Sequence, residues 1–473
     1  MEEPMVKRAI TLGGGGPAAG LHIGVLKALA DDGKTFDDES DVWALSCIGA
    51  WVGIVHNQFN EEKIKKENKS RAELTYEFFR DGVFRDDEGY ERFPINTVFG
   101  ADWNANIKAF QDFVTDPKSY SDFRWQPYKM MEQIQGTMSA WFNRLPRGEQ
   151  PFKEWREGDI NNWILNEVLA PNPFVRYLTS LMYLSKVNGL SRINYPDSEF
   201  MKSINFDELK KDRMPHIYHN AWNLDEQKLA LFSNRRMKED EKKQYKGAID
   251  SRSLCACSSL PFVEGTVEID QVTYCEGALV DTVNFDSLLE EHPDLEEIWV
   301  SRIVDAKQIR MPENLHDALA NLCQLFAATV GEDDVKLFKY HVKEAHTLDR
   351  AAEAGILEKA VECGMLDKPA VDGKNGKKPW RGVVVEIHVP GHINFKWNHS
   401  NLENSRMLGY AAAKQAIDAF NKAENEIKAN SKDGKLLKPI FINENPQDDA
   451  NWLDLRDRTY AGLKKAASGA KPK

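Results

Sequence analysis

The first apolar stretch, Arg8-Ala-Ile-Thr-Leu12, is short and sharply bounded, and predicts a buried strand. It runs into Gly13-Gly-Gly-Gly-Pro-Ala-Ala-Gly20. Beyond that loop Leu21, Val25, Leu26 and Leu29 recur at helical spacing and predict a helix to Ala30. A second strand is predicted over Trp43–Ser46 and a second helix over Ile48–His56, which leaves Cys47 on the turn between them. From about Phe59 to Met214 the pattern changes. The chain becomes rich in Lys, Glu, Asn and aromatics, with five Trp from Trp103 to Trp163. Trp163-Ile-Leu-Asn-Glu-Val-Leu and Phe174-Val-Arg-Tyr-Leu-Thr-Ser-Leu-Met-Tyr-Leu have helical periodicity. The segment is expected to be a helical insertion, read as a lid or acyl-binding cap because pockets form between such layers.

Strands then return. His216–Leu224 and Lys228–Ser233 are expected to pair around Asp225-Glu-Gln, with a helix near Ala248–Ser258. Leu260-Pro-Phe-Val-Glu is followed by one extended run, Val267–Cys275, that stops at Glu276-Gly277-Ala278. Ile298–Ile303 and Arg381–Val389 are further strands, and a helix over Met407–Phe420 closes the domain. Strands separated by helices predict an α/β sheet covered on both faces. The expected division is residues 1–58 and 215–425 for one α/β domain, 59–214 for the insertion, and 426–473 for an extension with a partly disordered tail.

Composition narrows the class. Of 473 residues, 42% are apolar and 29% charged, as in ordinary globular proteins, and a net charge of −12 gives no electrostatic case for nucleic acid. The six Cys (47, 255, 257, 275, 323, 363) form no Cys-x-x-Cys pair, so neither a metal site nor a disulfide framework is expected. No cofactor is expected. The start of the chain lacks a signal-peptide build, and no apolar run reaches the ~20 residues of a membrane span. The expected location is the cytoplasm.

The chemistry lies in the two turns. A glycine loop at a helix N-terminus offers unpaired N–H groups to an anion, so a phosphate cradle and an oxyanion hole compete. Gly13 and Gly15 fit the first two places of the dinucleotide fingerprint, with Ala18 in the third. The Lys-Ser/Thr of a Walker loop is replaced by Leu21-His22. Trp43–Val52 has the shape of a nucleophile elbow, with Cys47 at the reactive position and Gly49 two residues on. A buried core Cys is the bland alternative. The elbow close downstream favours the oxyanion hole, because acyl chemistry needs donors aimed at a developing O⁻.

Together these pieces resemble the patatin-like phospholipases. The glycine loop with His22-Ile-Gly-Val-Leu-Lys-Ala-Leu is similar to that family's oxyanion loop and first helix. Ser46-Cys-Ile-Gly-Ala50 falls at its Gly-x-Ser-x-Gly elbow. Cys255-Ala-Cys-Ser-Ser-Leu-Pro261 and Tyr274-Cys-Glu-Gly-Ala-Leu-Val-Asp-Thr-Val-Asn284 resemble the approach to its catalytic Asp-Gly-Gly/Ala. Ile393-Asn-Phe395 and the helix from Met407 are similar to the ending of some bacterial members. The resemblance implies a three-layer α/β/α fold with a mainly parallel sheet, and acyl hydrolysis by a Ser–Asp dyad.

This chain departs from that pattern at three points. Cys47 stands for Ser, Glu276 for Asp, and Ala18-Ala19 where the loop usually carries Arg or Lys. The resemblance implies Cys47 as nucleophile and Glu276 as base. Gly14, Gly15, Gly16 and Ile48 would be oxyanion donors, and Gly49 and Gly277 would support the turns. A thiol needs less help from a base than a hydroxyl and suits acyl transfer between sulfurs. The missing cation argues against a strongly anionic substrate. A lipid-like acyl ester or an acyl thioester is the expected substrate, with CoA or a carrier protein as one form of the thioester donor. The alternative is a catalytically silent lipid-binding or scaffold protein on the same fold. Asp281 is a reserve acid, and Ser46 lies one residue short of the apex. His22 and His56 are read as packing residues, and Cys275 as core.

Overall fold

The computed structural model describes residues 7–92, 98–101, 103–115, 189–193, 198–237, 244–302, 311–312, 315–356, 359, 362–363, 380–389, 396–432 and 435–444. The chain divides into two compact units, one of Met1–Gly100 with Arg192–Lys473 and the other of Ala101–Ser191. Residues 59–100 thus belong to the first unit. Of the second, the structure describes a helix over Trp103–Thr115 that exposes Ile107 and Phe110. The helical patterns at Trp163 and Phe174, the Ile393-Asn-Phe395 motif and the C-terminal tail lie outside the described residues.

The first unit is built on a ten-stranded sheet. In chain order its strands are β1 (Arg8–Leu12), β2 (Val42–Leu45), β3 (His216–Asn223), β4 (Lys228–Ser233), β5 (Tyr245–Ala248), β6 (Val267–Ile269), β7 (Val272–Glu276), β8 (Glu297–Ser301), β9 (Val383–Ile387) and β10 (Ile440–Ile442). The order across the sheet is β10-β9-β8-β1-β2-β3-β7-β6, with β4 on the other edge of β3 and β5 beyond it. From β10 to β3 every pairing is parallel. Such strands are buried on both faces, which is why runs like Val383-Val-Val-Glu-Ile read as continuous rather than alternating.

Side-chain alternation sorts the two layers. Trp299 and Val385 face α1 (Ala19–Asp31), α2 (Ile48–Asn57) and α7 (His399–Ala429). Ile298, Val300 and Val384 face α5 (Phe285–Glu291) and α6 (Leu315–Glu353), where Val335, Phe338 and Val342 meet them. Helices α3 (Glu61–Glu67) and α4 (Arg71–Gly82) follow α2. Asn60 caps α3, and Ser70 with Glu73 forms a capping box on α4. The α/β class with a mainly parallel sheet is as expected from the sequence.

One expectation is corrected. Val267–Cys275 is not a single strand but a hairpin, β6 and β7, paired antiparallel. Asp270 and Gln271 between them both have positive φ, 51° and 69°, the conformation of a two-residue hairpin turn that follows the right-handed twist of the strands. Gln is a poor marker of that turn, so the run read as continuous.

Candidate active site

β3 gives one edge to two partners. β2 runs parallel along its first half, ending with Leu45 opposite His219; β7 runs antiparallel along its second half, ending with Glu276 opposite Ala221. The two strands therefore end head to head, with Asn220 between their last partners. The turn after Leu45 and the side chain of Glu276 arrive at the same place. It lies at the carboxyl ends of the parallel strands, where open α/β sheets bind ligands.

Cys47 occupies the turn and caps α2 with φ 48° and ψ −125°, outside the region a non-glycine residue ordinarily takes. Its neighbours leave no room for anything larger. A Cβ at Gly49 would stand 2.1 Å from the Leu12 carbonyl oxygen, so α2 starts hard against the end of β1. Ser46, beside the apex, is buried and occupied. Its hydroxyl donates to Asn220 Oδ1 at 3.2 Å and accepts from Asn284 Nδ2 at 3.0 Å. Asp281 is likewise part of the scaffold: its Oδ1 accepts from the N–H groups of Val283 and Asn284.

The Cys47 thiol shares this site with the Glu276 carboxyl, whose charge raises its pKa, and with the Ile48 N–H, which lowers it. Both side chains are buried. Burial, then the Glu276 charge, pushes the thiol well above its usual range. Burial pushes the Glu276 carboxyl up to about 7, against the lowering effect of the Cys47 thiol beside it. The resting pair is thus a protonated thiol beside a carboxyl poised near neutrality.

The glycine loop closes over this pair. A Cβ placed on Gly14 would lie 3.0 Å from Cys47 Cβ, 3.1 Å from Ala278 Cβ and 3.7 Å from Glu276 Oε1. His22 anchors the start of the loop. Its Nε2 bonds the Gly13 carbonyl at 2.8 Å and its Nδ1 the Ser301 hydroxyl at 3.0 Å, while Gly13 N donates to Ser301 O. Burial lowers His22 to about 4, so the ring is neutral and Nε2–H donates to the carbonyl. Among the described residues the N–H groups of Gly14, Gly15 and Gly16 take no hydrogen-bond partner, and Gly16 turns the chain with φ 58°. Gly277 passes tightly beneath Asn220, whose Oδ1 would be 2.8 Å from a Cβ there.

The structure therefore brings together Cys47, Glu276, Gly14 and Ile48, with Gly15 and Gly16 on the same loop. Cys275, one residue before the acid, is buried as alternation predicts. Two residues of the scaffold are absent from the sequence reading. Asn220 ties Ser46 to the Asp281 carbonyl at 2.6 Å, and Asn284 ties Ser46 to the Leu45 carbonyl at 3.0 Å. Asn220 lies within β3, His216-Ile-Tyr-His-Asn-Ala-Trp-Asn223, whose several polar residues give it no distinguishing signal in the sequence. Among the described residues no group of His, Cys, Asp or Glu is arranged to hold a metal.

No curated protein matches the chain. Among solved structures, the crystal structure of VipD from Legionella pneumophila aligns with a TM-score of 0.31 at 12% identity, covering 98% of this chain and 77% of that one. The family model described as patatin-like phospholipase matches residues 10–289, a span that takes in the glycine loop, the elbow and Glu276. That match covers more than half of the 473 residues, and the chain belongs to the patatin-like phospholipases, a family of acyl hydrolases acting on lipid esters.

Proposed function

We propose that this protein is an acyl hydrolase or acyltransferase in which Cys47 carries the acyl group and Glu276 moves the proton. The observation that carries this reading is the buried thiol beside a buried carboxyl, beneath a glycine loop whose N–H groups take no partner among the described residues. The Glu276 carboxylate takes the Cys47 proton as sulfur attacks the carbonyl carbon of an ester or thioester. The oxygen that gains charge accepts hydrogen bonds from the Ile48 N–H and from the loop at Gly14–Gly16, an arrangement worth roughly 10²–10³-fold per donor. Collapse breaks the bond to the leaving alcohol or thiol, which takes the proton back from Glu276. The acyl-Cys47 thioester then passes its acyl group to water, or to an acceptor thiol or amine, whose proton goes to Glu276 and on to the Cys47 sulfur.

Glu276 near 7 suits this task, because a general base works best when its pKa lies near the operating pH. A thioester intermediate also suits transfer to acceptors other than water, so an acyl group on CoA or a carrier protein is a fitting donor. With Ala18 and Ala19 at the loop's usual cationic position, neither of these residues supplies charge for a phosphodiester.

One observation favours a second reading, a lipid-binding protein that performs no chemistry. Cys47 is only 8% exposed, and its thiol is held in the protonated form. Incubating the full chain with a panel of acyl thioesters and esters separates the two. The enzyme reading expects an acyl adduct on intact protein that maps to Cys47 and decays in water or with an acceptor. No adduct on native protein, with labelling after denaturation, would leave the binding reading.

A further inference from the structure

At the other end of α2 from Cys47 lies a partly open cavity of about 170 Å³, lined by α1, the loop after it, α2, α3, α4 and the start of β2. His56, in its wall, lies nine positions along the helix from Cys47, a distance of about 14 Å at ~1.5 Å per residue. The cavity is therefore no part of the thiol–carboxyl site. Leu29, Phe36, Trp43, Ile64 and Ala72 make most of its lining apolar. Its volume is that of a space which takes a benzene-sized molecule, of order 150 Å³.

The wall holds one polar atom of special character. His56 is 93% buried (7% exposed) and its ring lies 5.6 Å from that of Trp43. Its Nδ1 is 3.2 Å from Thr75 Oγ1, and that hydroxyl already donates to the Arg71 carbonyl at 2.8 Å. Thr75 must then accept, so the His56 proton is on Nδ1 and Nε2 presents a bare lone pair. Burial, then the Arg71 charge, holds the ring neutral. Among the described residues Nε2 has no hydrogen-bond partner. The indole N–H of Trp43 is committed to the Phe36 carbonyl at 2.8 Å.

The charges near the opening are already paired. Arg71 binds Asp37 and donates to the Phe59 carbonyl at 2.9 Å, Lys34 stands 3.4 Å from Asp32, and Glu61 lies 4.0 Å from Lys65. Among the described residues an ionic ligand finds no unpaired counter-charge in the cavity lining. We propose that this cavity binds a small neutral molecule with an apolar, ring-sized body and one O–H or N–H donor, which bonds His56 Nε2.

Phenol and anisole test this directly, since they share a ring and differ in the donor. In calorimetric titration of the full chain, phenol is expected to bind saturably at one site and anisole about tenfold more weakly, the value of one hydrogen bond to a buried acceptor. His56→Leu should bring phenol down to the level of anisole. Ala72→Phe, which fills the cavity, should abolish binding of both. Equal affinity of phenol and anisole for the wild-type protein overturns the assignment, whether or not the variants fold. So does an absence of saturable phenol binding, or phenol binding that survives both substitutions.

Discussion

The Cys47 thiol and the Glu276 carboxyl bear on each other's ionisation inside a site where both groups are buried. The relationship has a kinetic consequence. Only the carboxylate can take the proton, and Glu276 is pushed up to about 7. The thiol stays protonated through neutrality. Acylation of Cys47 is therefore expected to rise with pH through about 7 and then level off. Glu276→Gln should flatten that profile and slow acylation by roughly 10²–10⁴-fold, the usual worth of a positioned general base. Stopped-flow single turnovers with a chromogenic thioester measure both. A wild-type rate that ignores pH between acidic and alkaline buffers would remove Glu276 from the mechanism.

The same carboxyl ties stability to pH. Its folded-state value of about 7 lies above the ordinary 4.5, so the folded protein holds a proton that the unfolded chain releases. The stabilisation is fully present below about 4.5 and is lost as pH rises through about 7. Its size is on the order of 3 kcal/mol. Glu276→Gln cannot ionise and escapes this loss. Relative to wild type, the variant should gain stability between pH 5 and pH 8. Urea unfolding of the two proteins at both pH values gives the difference. Comparing within each pH also cancels His22, which acts in the opposite sense. Its folded value of about 4 makes stability rise with pH between about 4 and 6.5.

Gly14→Ala probes the loop without replacing either reactive side chain. The new methyl would stand 3.0 Å from Cys47 Cβ and 3.1 Å from Ala278 Cβ, tighter than ordinary contact. Relief comes from lifting the loop, which takes its N–H groups away from the carbonyl to be attacked. The expected result is a folded protein that acylates Cys47 about 10²-fold more slowly. Near-ultraviolet circular dichroism checks the fold, and the adduct assay reads the rate. Undiminished acylation would show that the donors lie elsewhere.

Much of this arrangement was legible because it depends on local patterns. The glycine loop, the strand–Cys–helix turn and the Glu-Gly-Ala stop each carry their geometry in a few adjacent residues. What was not legible depends on register between distant strands. That β2 and β7 end head to head on β3 follows from Leu45 pairing with His219 and Glu276 with Ala221, which no local spacing encodes. Asn220 and Asn284 serve that junction, and only its three-dimensional form explains them. The Asp270-Gln271 turn was hidden because Gln does not announce a positive φ. Helix α6, 39 residues long, carries no clean apolar stripe in the sequence, because exposed Leu322, Leu325 and Phe326 interrupt its buried face.

Gly49→Ala is expected to act on folding before chemistry. Its added carbon would fall 2.1 Å from the Leu12 carbonyl oxygen, and strand backbone cannot give way as a flexible side chain can. Overpacking of this kind costs about 1–3 kcal/mol or more. A lowered midpoint in thermal unfolding is the expected reading. An unchanged midpoint would mean that α2 can slide away from β1.

Glu386 tests a part of the fold remote from the elbow. It is a carboxylate buried on β9, on the face covered by α6, at 3% exposure. Lys339 of α6 pairs with it, Arg302 Nη2 lies 3.8 Å away and His388 Nε2 3.4 Å away. Burial pushes this carboxyl up, but His388 and Lys339 outweigh it and hold the group below its ordinary value. Lys339 is itself largely covered, and its second partner, Glu444, is more exposed. Glu386→Gln therefore strands Lys339 and Arg302 without their buried counter-charge. A loss of about 3–5 kcal/mol is expected, because removing one member of a buried pair leaves the other charge uncompensated. Replacing both groups by apolar ones, Glu386→Leu with Lys339→Met, should recover much of that loss. A double-mutant cycle by urea unfolding at pH 7 measures the coupling. If Glu386→Gln costs less than about 1 kcal/mol, the cluster is held by water rather than by charge, and α6 is secured to the sheet by Val335, Phe338 and Val342 alone.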